Sequence, residues 1–230
     1  MAVHKLKTNH LLFPEPTEFD EDIVAYGGDL RPARILEAYS RGIFPWYNEP
    51  GEYIWFSPNI RSVLYCDELH ISRSMQQIIK SKKFTCTVDM CFKDVMEGCR
   101  SGSRKHDTWI FDETIEAYTA LHHSGFAHSV EVWQDGVLVG GLYGGSLGRM
   151  FFGESMYSAI PNASKFAFIW LAQKLDAMGW PIIDCQVPTS HLSSLGTVSI
   201  TRNHFLKLLN AALEHPPLVG NWSKLQHFQD

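Results

Sequence analysis

Two short segments hold the residue types that could do chemistry. Asp184-Cys185-Gln186 follows Ile182 and Ile183 in an apolar run from Pro181 to Val187 that reads as a short buried strand. Side chains alternate across a strand, so Asp184 and Gln186 are expected on one face and Cys185 on the other. A carboxylate and an amide projecting together from a core strand are costly unless paired, so they form either a satisfied structural pair or a site. Cys185 is the weaker nucleophile candidate, because it points away from that pair and no neighbour clearly activates its thiol. The second segment is Gly153-Glu154-Ser155-Met156, after Phe151-Phe152. Plain alternation groups Phe151 with Gly153 and Ser155, and Phe152 with Glu154 and Met156; a bulge would change the grouping. An apolar pocket with one carboxylate at its rim suits a hydrophobic amino acid whose ammonium needs a partner, and a strand with one face in the core is the alternative. Gly42-Ile43-Phe44-Pro45-Trp46-Tyr47 and Trp55-Phe56-Ser57-Pro58 add aromatics in a loop-rich region. Exposed Trp there can stack on a base, worth ~1–3 kcal/mol, or pack between two small domains.

Composition narrows the classes. The chain has 230 residues, 45% hydrophobic and 20% charged, which excludes disordered, collagenous and disulfide-stapled classes. The longest nearly apolar stretch, Gly136 to Gly145, is about half the ~20 residues of a spanning helix, so no membrane span is expected. No apolar run follows the basic N-terminus, which predicts a cytoplasmic protein without a signal peptide. Five cysteines, an odd number with no Cys-x-x-Cys pair, point to reduced thiols and away from a zinc ribbon. His122, His123 and His128 lack the spacing of a zinc hydrolase, and no metal is expected. Net charge is −5, but it is polarised: residues 71–105 hold eight basic residues against three acids, and residues 15–59 hold nine acids against three arginines. Such polarity either focuses a polyanion on one face or marks two solvated faces.

The elements that must position these groups follow from periodicity and punctuation. Ten Pro and Gly between Pro14 and Pro58 limit the first sixty residues to short pieces, with one helix from about Pro32 to Arg41 stopped by Gly42. A boundary near Ser57 to Arg61 divides the chain into a small N-terminal domain, 1–60, and a larger one, 61–230. Strands are expected at Ile60–Cys66, Phe84–Asp89, Ala127–Gln134, Val137–Tyr143, Arg149–Met156 and Pro181–Val187, with Asp135-Gly136 as a hairpin turn. Helices are expected at Ser72–Lys80, Cys91–Arg100, Asp112–Ser124 with Asp112 as cap, Asn162–Met178 and Thr201–Glu214. This order, an α+β class with a mixed, mostly antiparallel sheet flanked by helices, suits the GNAT-like acyltransferase fold. The coenzyme A loop of that fold is missing: Ser158-Ala159-Ile160-Pro161-Asn162-Ala163-Ser164-Lys165 has no glycine to bring backbone amides to a pyrophosphate. No cofactor is expected.

Several motifs then agree in order from Phe13 to about Leu208. Phe13-Pro14-x-Pro16, Gly27-Gly28-Asp29-Leu30, Tyr39-Ser40-Arg41-Gly42-Ile43-Phe44-Pro45-Trp46, Trp55-Phe56-Ser57-Pro58 with Arg61, Thr108-Trp109-Ile110, Gly140-Gly141-Leu142-Tyr143-Gly144, Phe152-Gly153-Glu154-Ser155-Met156, Asn162-Ala163-Ser164-Lys165 and Asp184-Cys185-Gln186 resemble the leucyl/phenylalanyl-tRNA–protein transferases. The resemblance implies transfer of Leu, Phe and less readily Met from aminoacyl-tRNA (Leu-tRNA, Phe-tRNA) to proteins with an N-terminal Arg or Lys, marking them for degradation. It implies Asp184 and Gln186 as the catalytic pair, Leu142, Phe151, Met156 and Ile183 around the donor side chain, Glu154 at the donor's polar end, and Trp46 and Trp109 flanking the terminal adenosine. Leu171 and Leu175 are expected on the pocket helix where relatives can carry larger aromatics. Thr201 stands where the family often has Pro and can cap the last helix.

The reaction implied is aminolysis of an ester, in which the attacking α-amine, with a pKa of ~7.7–8.0, must lose a proton. Asp184 is expected to remove or relay that proton and Gln186 to orient the amine, since an amide is too weak a base. Arg73, Lys80, Lys82, Lys83, Arg100, Arg104 and Lys105 are expected to hold the tRNA through its phosphates. An acyl-CoA N-acyltransferase and a non-catalytic RNA-binding module are the rival readings.

Overall fold

Frequent proline and glycine leave the N-terminal region only short extended pieces, and these pair into a sheet of their own. In the computed structural model, which describes residues 3–8, 10–47, 49–101, 108–225 and 228, strands β1 (His4–Leu6), β2 (Ile23–Gly27), β3 (Phe44–Pro45) and β4 (Ile54–Phe56) form a sheet of order β1-β2-β4-β3. Helix α1 (Pro32–Ser40) opens with Pro in its first turn, and the chain turns away at Gly42, whose φ is +69°. Reading these residues as loop plus one helix missed the four strands, because two to five residues are too few for periodicity to register.

The chain enters a second sheet at Ile60. It contains β5 (Ile60–Tyr65), β6 (Thr85–Val88), β7 (Ala127–Gln134), β8 (Val137–Leu147), β9 (Met150–Ser158), β10 (Ile182–Asp184) and β11 (Val198–Thr201), in the order β11-β5-β10-β9-β8-β7-β6. Only β9 and β10 pair in parallel; the other ladders are antiparallel. The β7–β8 hairpin turns at Asp135-Gly136, both with positive φ, the geometry whose twist matches that of the flanking strands. Helices α2 (Arg73–Lys80), α3 (Phe92–Ser101), α4 (Asp112–His123), α5 (Ala163–Ala177), the one-turn α6 (Ser190–Ser193) and α7 (Arg202–Leu213) complete the α+β arrangement, a mixed, mostly antiparallel sheet flanked by helices.

The boundaries depart from expectation where side chains or backbone override pattern. Asp112 is the first residue of α4 rather than its cap, and Thr114 Oγ1 closes the turn by accepting the Phe111 N–H at 3.1 Å. Thr201 caps α7 as expected, accepting the His204 N–H at 3.3 Å. β10 stops at Asp184 rather than Val187, because Gln186 has φ +58°, outside the strand region.

The large sheet is covered on both faces. Val63, Tyr143, Phe152 and Ile182 point toward α1, α3, α4, α7 and the small sheet; Leu64, Leu142, Phe151 and Ile183 point toward α5 and Trp222. The apolar core under the first face runs without interruption from Val24, Ile35 and Trp55 to Val95, Tyr118 and Phe205, so the two sheets share packing.

The long β8–β9 pairing holds one irregularity that decides the site. Tyr143 pairs with Ser155 but Gly144 pairs with Gly153, so Glu154 is an extra residue on β9. A Cβ on Gly144 would lie 2.1 Å from the Phe152 carbonyl oxygen and 2.7 Å from the Phe151 ring. Gly144→Ala should therefore destabilise the protein by about 3 kcal/mol, read as a lowered urea midpoint with an unchanged m-value.

Candidate functional site

The parallel pairing of β9 with β10 ends after Phe152 and Asp184. Beyond that point β9 continues beside β8 only, the chain after β10 turns away, and a pocket of about 650 Å³ fills the gap. The Glu154 bulge sets what each face of β9 offers to it. Across the extra residue the alternation reverses, so Phe151 and Met156 point the same way. With Leu142, Ile183 and Phe168 they form the apolar wall. The grouping from plain alternation, Phe152 with Glu154 and Met156, is thus corrected at Met156. Leu171 and Leu175 on α5 are also corrected: both are buried in the core, and Ser164 and Phe168, one turn apart nearer the helix start, reach the pocket instead.

Glu154 lies at the polar end of the pocket, 9% exposed. Its Oε1 accepts the Tyr39 hydroxyl at 2.6 Å and Gln186 Nε2 at 3.2 Å, while Oε2 has no hydrogen-bond partner among the described residues. Tyr39 also meets the Tyr118 hydroxyl at 3.2 Å, and the buried Tyr143 hydroxyl has no hydrogen-bond partner among the described residues. Burial pushes the Glu154 carboxyl up to about 7, against the lowering effect of the polar groups facing it, the Tyr39 and Tyr118 hydroxyls and the Gln186 amide. The same burial, with Glu154 nearby, holds the three tyrosines well above their usual range and therefore neutral.

Asp184 is not in the pocket wall. It is fully buried, and Arg61 clamps it: Nε reaches Oδ1 at 2.8 Å and Nη2 reaches Oδ2 at 2.6 Å. Arg61 itself is held between the rings of Phe44 and Phe205, 4.6 and 4.4 Å from their centroids, and donates to the Gly42 carbonyl at 3.3 Å. Asp184 Oδ1 also accepts the Gln186 N–H at 2.9 Å. Cys185 N–H donates to the Ser62 carbonyl and Ser62 N–H donates to the Gln186 carbonyl, both at 2.9 Å, so two residues face one. Alternation breaks here too. Cys185 and Gln186 both line the pocket, contrary to the expectation that Asp184 and Gln186 share a face. Burial holds the Cys185 thiol well above its usual range, so it is no thiolate.

Trp46 is 41% exposed and, with the half-buried Trp109, stands at the pocket. Thr189 to Leu192, on and just before α6, form a further wall that strand and helix periodicity did not foresee. The sequence signals for the missed Tyr39, Tyr118 and Phe168 are weak: each reads as an ordinary core position.

The basic segment is divided. Arg73, Lys80, Lys82 and Lys83 are exposed, and none of them lines the pocket. Arg100 is committed to Glu97 at 2.6 Å and Asp112 at 2.5 Å, so its charge is already met. Arg104 and Lys105 lie outside the described residues. His128 is buried between Asp89 (2.9 Å) and Ser146 (3.1 Å) and stacked on Trp222, a strut under the C-terminal segment. Among the described residues no His, Cys, Asp and Glu gather as a metal-ligand group, and no helix is long and apolar enough to cross a membrane.

Removing one partner of the Arg61–Asp184 pair leaves an uncompensated buried charge. Arg61→Met should cost about 3–5 kcal/mol in urea unfolding, and Arg61→Met with Asp184→Leu should recover most of the loss.

Comparison with known proteins adds the lineage. Residues 63–210 match the family described as leucyl/phenylalanyl-tRNA protein transferase, and residues 28–59 match its N-terminal domain. Proteins named leucyl/phenylalanyl-tRNA–protein transferase are similar along nearly the whole chain. That of Desulfatibacillum aliphaticivorans is 49% identical, covering 97% of each chain. That of Syntrophus aciditrophicus is 51% identical, over 93% of this chain and 90% of its own. Among solved structures, L-PGS from Bacillus licheniformis aligns with a TM-score of 0.42 at 14% identity, over 76% of this chain and 55% of that one. The match of both segments, with identity near one half from end to end, shows that this chain belongs to the leucyl/phenylalanyl-tRNA–protein transferase family.

Proposed function

We propose that the protein moves Leu or Phe, and less readily Met, from aminoacyl-tRNA to the N-terminal α-amine of proteins beginning with Arg or Lys, tagging them in the cytoplasm for degradation. The observation that carries this reading is the pocket itself: apolar walls sized for a large side chain, one carboxylate at the polar end, and tryptophans beside it. Leu142, Phe151, Met156 and Ile183 surround the donor side chain, with Phe168 from α5. Trp46 and Trp109 flank the terminal adenosine, where a base can stack on an indole. Ser158 Oγ accepts the Ser164 N–H at 2.7 Å at the start of α5, so this turn is capped from within, which disfavours an acyl-CoA enzyme that would need it for a pyrophosphate.

The reacting groups divide the work. In ester aminolysis the amine nitrogen bonds to the carbonyl carbon and loses a proton, while the bond to the tRNA ribose oxygen breaks and that oxygen takes up a proton to leave as a hydroxyl. An aminoacyl ester is already activated, so holding amine and carbonyl together supplies much of the acceleration. Gln186 gives its Nε2 to Glu154, which leaves its amide oxygen to accept an N–H of the incoming amine. Asp184, with both oxygens held by Arg61, is reassigned from proton acceptor to positioning residue: it fixes the backbone of Gln186. Glu154 meets the donor's polar end and, with a free oxygen and a pKa near neutrality, is the carboxylate suited to take the proton. Arg73, Lys80, Lys82 and Lys83, with Arg104 and Lys105 from the same basic segment, contact tRNA phosphates.

Labelled Phe should pass from charged tRNA to a peptide beginning with Arg and not to the same peptide beginning with Gly; transfer to neither would overturn the reading. The pH dependence tests Glu154. A base must be ionised, so kcat/KM of the wild type should rise through an inflection near pH 7. Glu154→Gln should lose roughly 100-fold in kcat and that inflection with it, leaving only the titration of the acceptor amine near ~8.

A further inference from the structure

A second groove opens beside the pocket and shares two of its walls, Trp46 and Val187. It is about 410 Å³, and Val187 directly follows Gln186, so it begins where the acceptor amine is oriented. Its other walls include Phe56, Pro58, Asn59 and Ile60, and among the described residues its single charged group is Asp22. A mostly apolar groove with a carboxylate on its wall fits a side chain with a hydrocarbon stem and a cationic head. We propose that this groove reads the first side chain of the acceptor, with Asp22 taking the guanidinium or ammonium group. The inference rests on the acceptor class proposed above and names the residue that selects it.

The charge around the groove supports a cation as occupant. The three arginines between residues 15 and 59 are all engaged: Arg31 and Arg34 with Asp29, and Arg41 with Glu15 and Glu37. Glu18, Asp20 and Glu21 flank Asp22 in sequence and are exposed. Asp22 is itself 55% exposed; Oδ1 accepts the Asn59 N–H at 2.7 Å, and Arg202 approaches only to 4.0 Å. Arg202 gives its hydrogen bonds to the carbonyls of Pro16, Phe19 and Glu21, which keeps it from closing on Asp22. The Asp22 side chain, 55% exposed, thus faces the groove with Arg202 no nearer than 4.0 Å.

The experiment compares peptides beginning with Arg or with citrulline, its neutral isostere, as acceptors of Phe. The wild type should favour Arg about tenfold in kcat/KM, the scale of one charge-assisted contact. Asp22→Asn keeps an oxygen for the Asn59 N–H; it should raise KM for the Arg peptide and bring the ratio close to one, while KM for Phe-tRNA holds. Ile60→Lys, on an exposed wall of the groove and outside the Asp22–Asn59 hydrogen bond itself, should weaken the Arg peptide in the same way. An Arg-to-citrulline ratio that survives both substitutions would overturn the role of Asp22 while leaving the transferase reading intact. A wild type that transfers to Gly-, citrulline- and Arg-peptides alike would overturn the acceptor class and this inference together.

Discussion

The clamp of Arg61 on Asp184 is the contact on which the arrangement hangs. It joins β5 to β10, seats a guanidinium between an N-terminal ring, Phe44, and a ring of the last helix, Phe205, and reaches the carbonyl of Gly42. Four separate stretches of chain meet at one planar cation. A buried pair of this kind adds little stability over an apolar substitute, so its value lies in geometry. By holding Asp184 it dictates where the backbone of Gln186 must turn, and a non-glycine residue is kept at positive φ at a cost of ~1–3 kcal/mol.

From that fixed point the site follows by divergence. β10 parts from β9 just after Asp184 while staying bonded to β5, β9 goes on with β8 alone, and the space between them is not bridged by backbone hydrogen bonds. Apolar side chains line one part of it, and the tyrosine-ringed carboxylate closes another. The hydrogen bonds to Glu154 favour its charged form while burial opposes it, and the balance falls near neutrality. That balance allows a carboxyl group to exchange a proton with an amine at physiological pH.

The larger framework was legible in the sequence because its elements are long enough to show a period. The β7–β8 hairpin, with its Asp135-Gly136 turn, and helices α5 and α7 stand where alternation and capping place them. The pocket composition was legible too: Leu142, Phe151, Glu154, Met156 and Ile183 do meet around one cavity. What failed was the assumption that alternation continues unbroken. At Glu154 and again at Cys185-Gln186 one extra residue faces a single partner, and no local residue type announces either irregularity. Phe168 in place of Leu171 and Leu175 has a different cause, since apolar residues on every turn of one helix face do not say which turn lies beside a gap. Arg100 looked like a surface cation until Glu97 and Asp112 were seen to neutralise it.

The bulge on β9 makes that strand sensitive to its length in a way that its composition does not reveal. Glu154 acts as a phase shift: before it even-numbered residues face the tyrosine side, and after it odd-numbered ones do. Deleting Ser155, just past the bulge, would turn Met156 out of the pocket and bring Tyr157 in, whereas deleting Glu154 itself would restore the regular pleat, keep Met156 in place and remove the carboxylate. Descendants of this chain are thus freer to exchange side chains along β9 than to gain or lose a codon within it.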